Sequence, residues 1–313
     1  MREQAERFLE DVLAEPESLA RVLADAEIDF DVARIKRVRF VGMGSSRFAA
    51  LPAATLLRAA GLDAHAERGS AAEATPPAED LLAVVVSAGG KTAETVAAAE
   101  RHAGTSRVVA VTNDPGSPLA AAADHVVALN AGEERGGVAC RTYQASVALL
   151  LLLAARIAGR DVSFDGAVAA AAEVRDGRDR WLPRAVEVFG GTVAAVAPDE
   201  RMCSAEQAAL VLREGPRIRA DACETGDWPH VDVYLTRRPG YRALLFAGSR
   251  FDGAVAEWLA RRGAAFVAVG RPVEGSVLDV EHSAAGTPGE LVVETMVADL
   301  IAAELWRNAW TDG

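Results

Sequence analysis

Lysine is nearly missing from this chain of 313 residues: only Lys36 and Lys91 occur, and arginine supplies the rest of its positive charge. Against 45 carboxylates the net charge is −12. That balance excludes nucleic acid or an anionic membrane surface as the main partner, since both need clustered cations. Cysteine is scarce too. Cys140, Cys203 and Cys223 make an odd number without CxxC spacing, which predicts a reduced cytoplasm and neither a disulfide framework nor a structural zinc. His65, His102, His125 and His282 lack metal-ligand spacing, so no metal and no other cofactor is expected. Long apolar runs are absent: the longest aliphatic one, Val147–Ala155, is bounded by Ser146 and Arg156. It is far short of the roughly 20 residues a membrane span needs. The opening Met1-Arg-Glu-Gln-Ala-Glu-Arg7 carries no apolar stretch of a secretory signal.

Half the residues are hydrophobic and a quarter are charged, enough to bury a full core and, at this length, to form two domains. Short β-branched runs occur at Val38–Val41, Leu81–Val86, Val108–Val111 and His125–Leu129. Stretches of helical spacing lie between them, at 49–60, 92–102 and 117–123, and a long helix over 143–158 follows. Such alternation predicts a parallel sheet with helices on both faces. The pattern then repeats, with strands at Val193–Val196, Ala243–Phe246, Phe266–Val269 and Val277–Val280, and helices over 205–213, 253–262 and 291–306. Corresponding runs are offset by roughly 150–160 residues, the mark of an internal duplication. The expected organisation is an N-terminal helical segment (1–34) bent at Pro16, a first α/β domain (35–160), a helical connection (161–182) and a second α/β domain (183–313). Trp306 and Trp310 are expected to pack a helix against the body or a second subunit.

Two motifs carry chemistry. Val41-Gly-Met-Gly-Ser-Ser46 follows the first strand and opens a helix. Its glycines let the backbone approach an anion, and Ser45 and Ser46 place hydroxyls where a helix N-terminus favours phosphate. It lacks the third glycine of a dinucleotide fingerprint and the GK[ST] of a Walker loop. Ser87-Ala-Gly-Gly-Lys-Thr92 opens a helix at another strand end. Gly89 and Gly90 free the backbone, Ser87 and Thr92 offer hydroxyls, and Lys91 offers a point charge. Each loop alone could be a plain helix cap. Together, at neighbouring strand ends, they make a phosphate cradle.

With these residues in view the chain resembles a tandem SIS (sugar isomerase) domain protein: the isomerase half of glucosamine-6-phosphate synthase and the stand-alone sugar-phosphate isomerases and deaminases. The matching stretches are Gly42–Ser46, Val86–Thr95, Val111–Asn113, Ala131–Ala139 and the lead-in Glu15–Leu19. The resemblance implies two flavodoxin-like three-layer αβα domains, each with a five-stranded parallel sheet. It also implies a phosphorylated sugar held by Ser46, Ser87 and Thr92. The second half carries Glu206–Glu214 and Gly226-Asp-Trp-Pro-His230, which map Glu214 onto the family's proton-transfer base and His230 onto its ring-opening histidine. A homodimer is implied, with the histidine loop reaching the neighbouring subunit's site.

The chain departs from the family in several places. Gly89 replaces the loop's middle serine, Ala88 the usual Gln or Arg, and Lys91 a frequent Glu. No lysine follows Lys91, so the synthase's C-terminal lysine chemistry is not expected. Neither is glutamine amidotransfer, for want of a glutaminase domain. The second half's counterpart of the first loop, Ala197-Pro-Asp-Glu-Arg201, is acidic, lacks glycine and is not expected to hold phosphate. The readings that result are an isomerase or deaminase using Glu214, or a phosphosugar sensor that kept the cradle and lost the chemistry.

Overall fold

A computed structural model describes residues 2–309; Trp310 lies outside the described residues. Two helices open the chain, α1 (Arg2–Leu13) and α2 (Glu15–Ala24). Next come β1 (Arg37–Gly42), α3 (Ser45–Ala59), β2 (Asp63–Arg68), β3 (Leu81–Val86), α4 (Ala93–His102), β4 (Arg107–Thr112), α5 (Pro118–Ala121), β5 (His125–Ala128) and α6 (Arg141–Ala158). A long helix, α7 (Ala167–Val188), follows. The series then repeats as β6 (Val193–Ala197), α8 (Met202–Glu214), β7 (Ala220–Glu224), α9 (Trp228–Val231), β8 (Arg242–Phe246), α10 (Asp252–Arg262), β9 (Ala265–Gly270), β10 (Leu278–Glu281) and α11 (Glu290–Asn308).

The chain divides into two units. One comprises Glu17–Glu133 and Arg141–Val162; the other comprises the chain before Glu17, Glu134–Cys140 and the chain from Ser163 on. In the first unit five parallel strands run in the order β2-β1-β3-β4-β5. β3 is buried at every residue, as a central parallel strand covered on both faces must be. On one face α3 packs on α6, a helix buried around almost its whole circumference, as its apolar sequence requires.

The second unit has the same strand order, β7-β6-β8-β9-β10, so the duplication read from the sequence is one of topology. The backbone closures repeat as well. Ser87 N–H donates to Val111 O after β3 at 3.0 Å, and Ala247 N–H donates to Val269 O after β8 at 2.9 Å. α11 is buried from Val292 through Ala303 and takes α1 against it, with the Phe8 and Trp306 ring centroids 6.0 Å apart. Trp306 thus packs within its own unit. Among the described residues no helix is long and apolar enough to cross a membrane.

Candidate functional site

In the first sheet the chain crosses from β1 to one side and from β3 to the other, so the order reverses between these two neighbours. Parallel sheets leave a crevice at such a point, beyond the carboxyl ends of the strands. Both loops read from the sequence lie there: 43–46 after β1 and 87–92 after β3. Ser45 and Ser46 form the first turn of α3, and Thr92 is the N-cap of α4. Neither Gly44 nor Thr92 caps its helix with a side chain. The positive ends of both helix dipoles therefore lie at the crevice, that of α4 with Glu94 in its first turn.

The second loop is tightly determined. Ser87 is 5% exposed, and its Oγ lies 3.4 Å from Thr92 Oγ1. Gly90 has φ +61°, and a Cβ there would sit 2.0 Å from Ser117 Oγ, so no other residue fits without moving α5. Gly90 O accepts from Leu119 N–H, and Ala88 O accepts from Asn113 N–H and Thr112 Oγ1. Gly89 is exposed at the tip. Lys91 does not stand free at the cradle: its Nζ lies 3.3 Å from Asp114 Oδ2. That carboxylate lies outside the two motifs, in the turn after β4.

Beside the loop lies a cleft of about 900 Å³, lined in part by Arg21, Asp25, Gly89, Lys91, Asn113 and Asp114. Its far wall hangs on Asn113, whose Nδ2 donates to Gly132 O at 2.7 Å and whose Oδ1 accepts from Ala131 N–H at 2.9 Å. Asn113 belongs to the matching stretches of the sequence, but its task of holding the loop after β5 emerges only from the fold.

Glu214 and His230 both belong to the second unit, and the fold does not bring them together. Glu214 ends α8, and the chain re-enters the sheet at the amino end of β7, where Arg219 O accepts from Val193 N–H. His230 follows the carboxyl end of β7, where Thr225 N–H donates to Ala197 O. The two residues therefore lie at opposite edges of one sheet, a five-residue strand or roughly 17 Å apart along its direction. Glu214 is partly buried, and burial raises its carboxyl above the ordinary value, with Arg213 and Arg217 opposing. The next residue, Gly215, packs on the Trp306 ring. His230 is exposed on a short helix. Exposed Val231, Tyr234 and Phe251 accompany it on this unit. The cysteines are buried and form no disulfide among the described residues, and burial first, then nearby carboxylates, push the Cys223 thiol up to about 12.

Residues 31–156 match the SIS domain family. Glutamine–fructose-6-phosphate aminotransferase [isomerizing] of Chlamydia trachomatis is 28% identical over 260 residues, 74% of this chain and 42% of that protein. The chain thus spans less than half the length of this relative. The C-terminal domain of glucosamine-fructose-6-phosphate aminotransferase from Francisella tularensis superposes with a TM-score of 0.84 at 17% identity, covering 96% of this chain and 95% of that one. Glucosamine-6-phosphate deaminase from Thermotoga maritima superposes with a TM-score of 0.74 at 17% identity, covering 97% and 95%. Over residues 31–156 the chain thus matches the SIS domain family, and its two five-stranded parallel sheets have the fold of these two structures.

Proposed function

We propose that the chain binds a phosphorylated sugar through Ser46, Ser87 and Thr92 and acts as a sugar-phosphate isomerase or aminosugar-phosphate deaminase with Glu214 as its proton-transfer base. The observation that carries this reading is the placement of two hydroxyl-bearing strand-to-helix loops after β1 and β3, the neighbouring strands between which the first sheet's order reverses. A phosphate there would accept hydroxyl and amide hydrogen bonds at two uncapped helix N-termini. The SIS match over 31–156 and the likeness to a deaminase fold support the same class.

Isomerisation takes a proton from one sugar carbon and returns one to its neighbour, so it needs a carboxylate that is a stronger base than usual. Glu214, partly buried, has that character. Opening the sugar ring needs a second proton carrier, for which His230 is the candidate. Because Glu214 and His230 lie at opposite edges of β7, a single chain does not offer both to one sugar. In this reading the protein is a homodimer whose His230 serves the partner's site, with Val231 and Tyr234 covered by the second copy. An odd number of cysteines without CxxC spacing supports a reduced, cytoplasmic setting.

The test is a screen of phosphorylated hexoses and hexosamines by calorimetry and by a coupled turnover assay, with Glu214→Gln alongside. The variant keeps shape and removes the proton acceptor, so binding should persist while turnover falls by about 10²–10⁴-fold. Unchanged turnover would sink the assignment of Glu214. A second reading, a sensor that binds without turnover, is favoured by the loop at 88–91. There Ala88 and Gly89 offer no side-chain polar group, and Lys91 is tied to Asp114. Binding by the wild-type protein with no turnover of any sugar would select that reading.

A further inference from the structure

The second sheet reverses between β6 and β8 as the first does between β1 and β3. The equivalent crevice is occupied by the chain itself. Arg201, in the loop after β6, is buried there. Its Nη2 donates to Phe246 O at 3.0 Å, at the end of β8, and to Ala247 O at 2.6 Å, just beyond it. Its Nη1 lies 2.6 Å from Glu290 Oε1 and 2.7 Å from Glu294 Oε2, both on α11. Ser204, in the first turn of α8, donates its hydroxyl to Glu294 Oε1 at 2.5 Å. Arg271, after β9, donates to Ala247 O and lies 3.7 Å from Glu290 Oε2.

His282, after β10, is 5% exposed, and its ring nitrogens have no hydrogen-bond partner among the described residues. It borders the same cluster: a Cβ on Gly270 would sit 3.1 Å from Glu290 Oε1 and 3.7 Å from His282 Nε2.

We propose that the second unit contains a second anion site, built like the first at the sheet's reversal point, and that Glu290 and Glu294 fill it in place of a phosphate. Every part matches the ligand it replaces. A serine hydroxyl at the start of a helix, two guanidinium groups and a buried imidazole converge from the three segments after β6, β9 and β10, the equipment of a phosphate site. The two carboxylates bring four acceptor oxygens and a charge near that of a phosphate dianion. An ion pair serving stability alone is poorly suited to this depth, because desolvating its charges costs about as much as their attraction returns. The reading concerns only the second unit and stands apart from the activity proposed above.

The experiment uses the full chain with inorganic phosphate as probe, sodium chloride at matched ionic strength as control, and hydrogen–deuterium exchange as readout. In Glu294→Ala, phosphate should slow exchange across 198–204 and 247–252 and raise the melting temperature; in the wild-type protein those segments should not respond. Glu294→Gln, which keeps the volume, should stay as closed to phosphate as the wild type. Adding Arg201→Met to Glu294→Ala should abolish the response. Should Glu294→Ala not fold, Glu290→Ala takes its place, its carboxylate being nearer the surface at 6% exposure against 0%. Refolding of either variant by phosphate, but not by chloride, supports the proposal. No response of 198–204 and 247–252 in a folded alanine variant overturns it. So does failure of both variants to fold with or without phosphate, or an equal response in the wild type. The first unit's loops, read separately at 43–46 and 87–92, report on the phosphosugar reading.

Discussion

Ser87 Oγ and Thr92 Oγ1 stand 3.4 Å apart across the loop after β3, close enough to touch one phosphate oxygen together. Hydrogen bonds to a charged group are each worth about 1.5–3 kcal/mol. Ser87→Ala should therefore weaken phosphosugar binding by roughly 10–100-fold while slowing the bound-state step far less. Calorimetry and the split between KM and kcat measure the two effects.

Gly90 and Gly89 adjoin, yet they should respond oppositely to substitution. Gly90→Ala puts a Cβ 2.0 Å from Ser117 Oγ at φ +61°. It should cost about 1–3 kcal/mol in urea unfolding and disorder the cradle. A Cβ on Gly89 meets nothing within 4 Å. Gly89→Ser should fold normally, return the hydroxyl that the resemblance expects there, and tighten phosphosugar binding by up to about tenfold. Unfolding midpoints and dissociation constants check both.

If Glu214 is the base, only its ionised form works. Its carboxyl is raised by burial, against Arg213 and Arg217. Turnover should thus fall on acidification at a higher pH than an ordinary glutamate would give. In Arg217→Ala, which removes one opposing cation, that acidic limb should move higher still. A profile of kcat against pH for the two proteins decides it.

His282 couples the second unit to acid. Burial first, then Arg201 and Arg271, lower its pKa from 6.5 to about 4, with Glu173 opposing. Between those values the unfolded chain takes a proton that the folded chain refuses. Stability from this residue is present above pH 6.5 and is lost as pH falls towards 4, by on the order of 3 kcal/mol. Glu294 acts the other way. Burial raises it to about 7 despite Arg201, so its contribution declines as pH rises from 4.5 to 7. His282→Phe should leave only the second trend, flattening or reversing the acid loss of unfolding free energy.

The sequence reveals the fold wherever a strand is covered on both faces. Leu81–Val86 is an unbroken apolar run and is β3 residue for residue. It does not reveal β2 and β7. Asp63-Ala-His-Ala-Glu-Arg68 and Ala220-Asp-Ala-Cys-Glu224 are edge strands, paired on one side only, with exposed polar residues between small buried ones. Their short alternation is too weak to tell from a turn. The hydroxyls of the cradle are legible because glycine, serine and a following helix stand together in the chain. Partners far apart in it are not. Lys91 and Asp114 meet across 23 positions, and Arg201 and Glu294 across 93. Read alone, the loop at 197–201 shows only its acidity; Arg201 turns out to be the member that enters the crevice.

Glu214 and His230, one at each edge of β7, also make a genetic prediction. In a twofold dimer whose sites are shared, a chain carrying Glu214→Gln and one carrying His230→Asn are each inactive alone. In a hybrid of the two, one site draws both altered residues and the other draws both intact ones. Unfolding and refolding the variants as an equal mixture makes half the dimers hybrids, each with one working site. The mixture should recover about a quarter of wild-type activity, although neither parent has any.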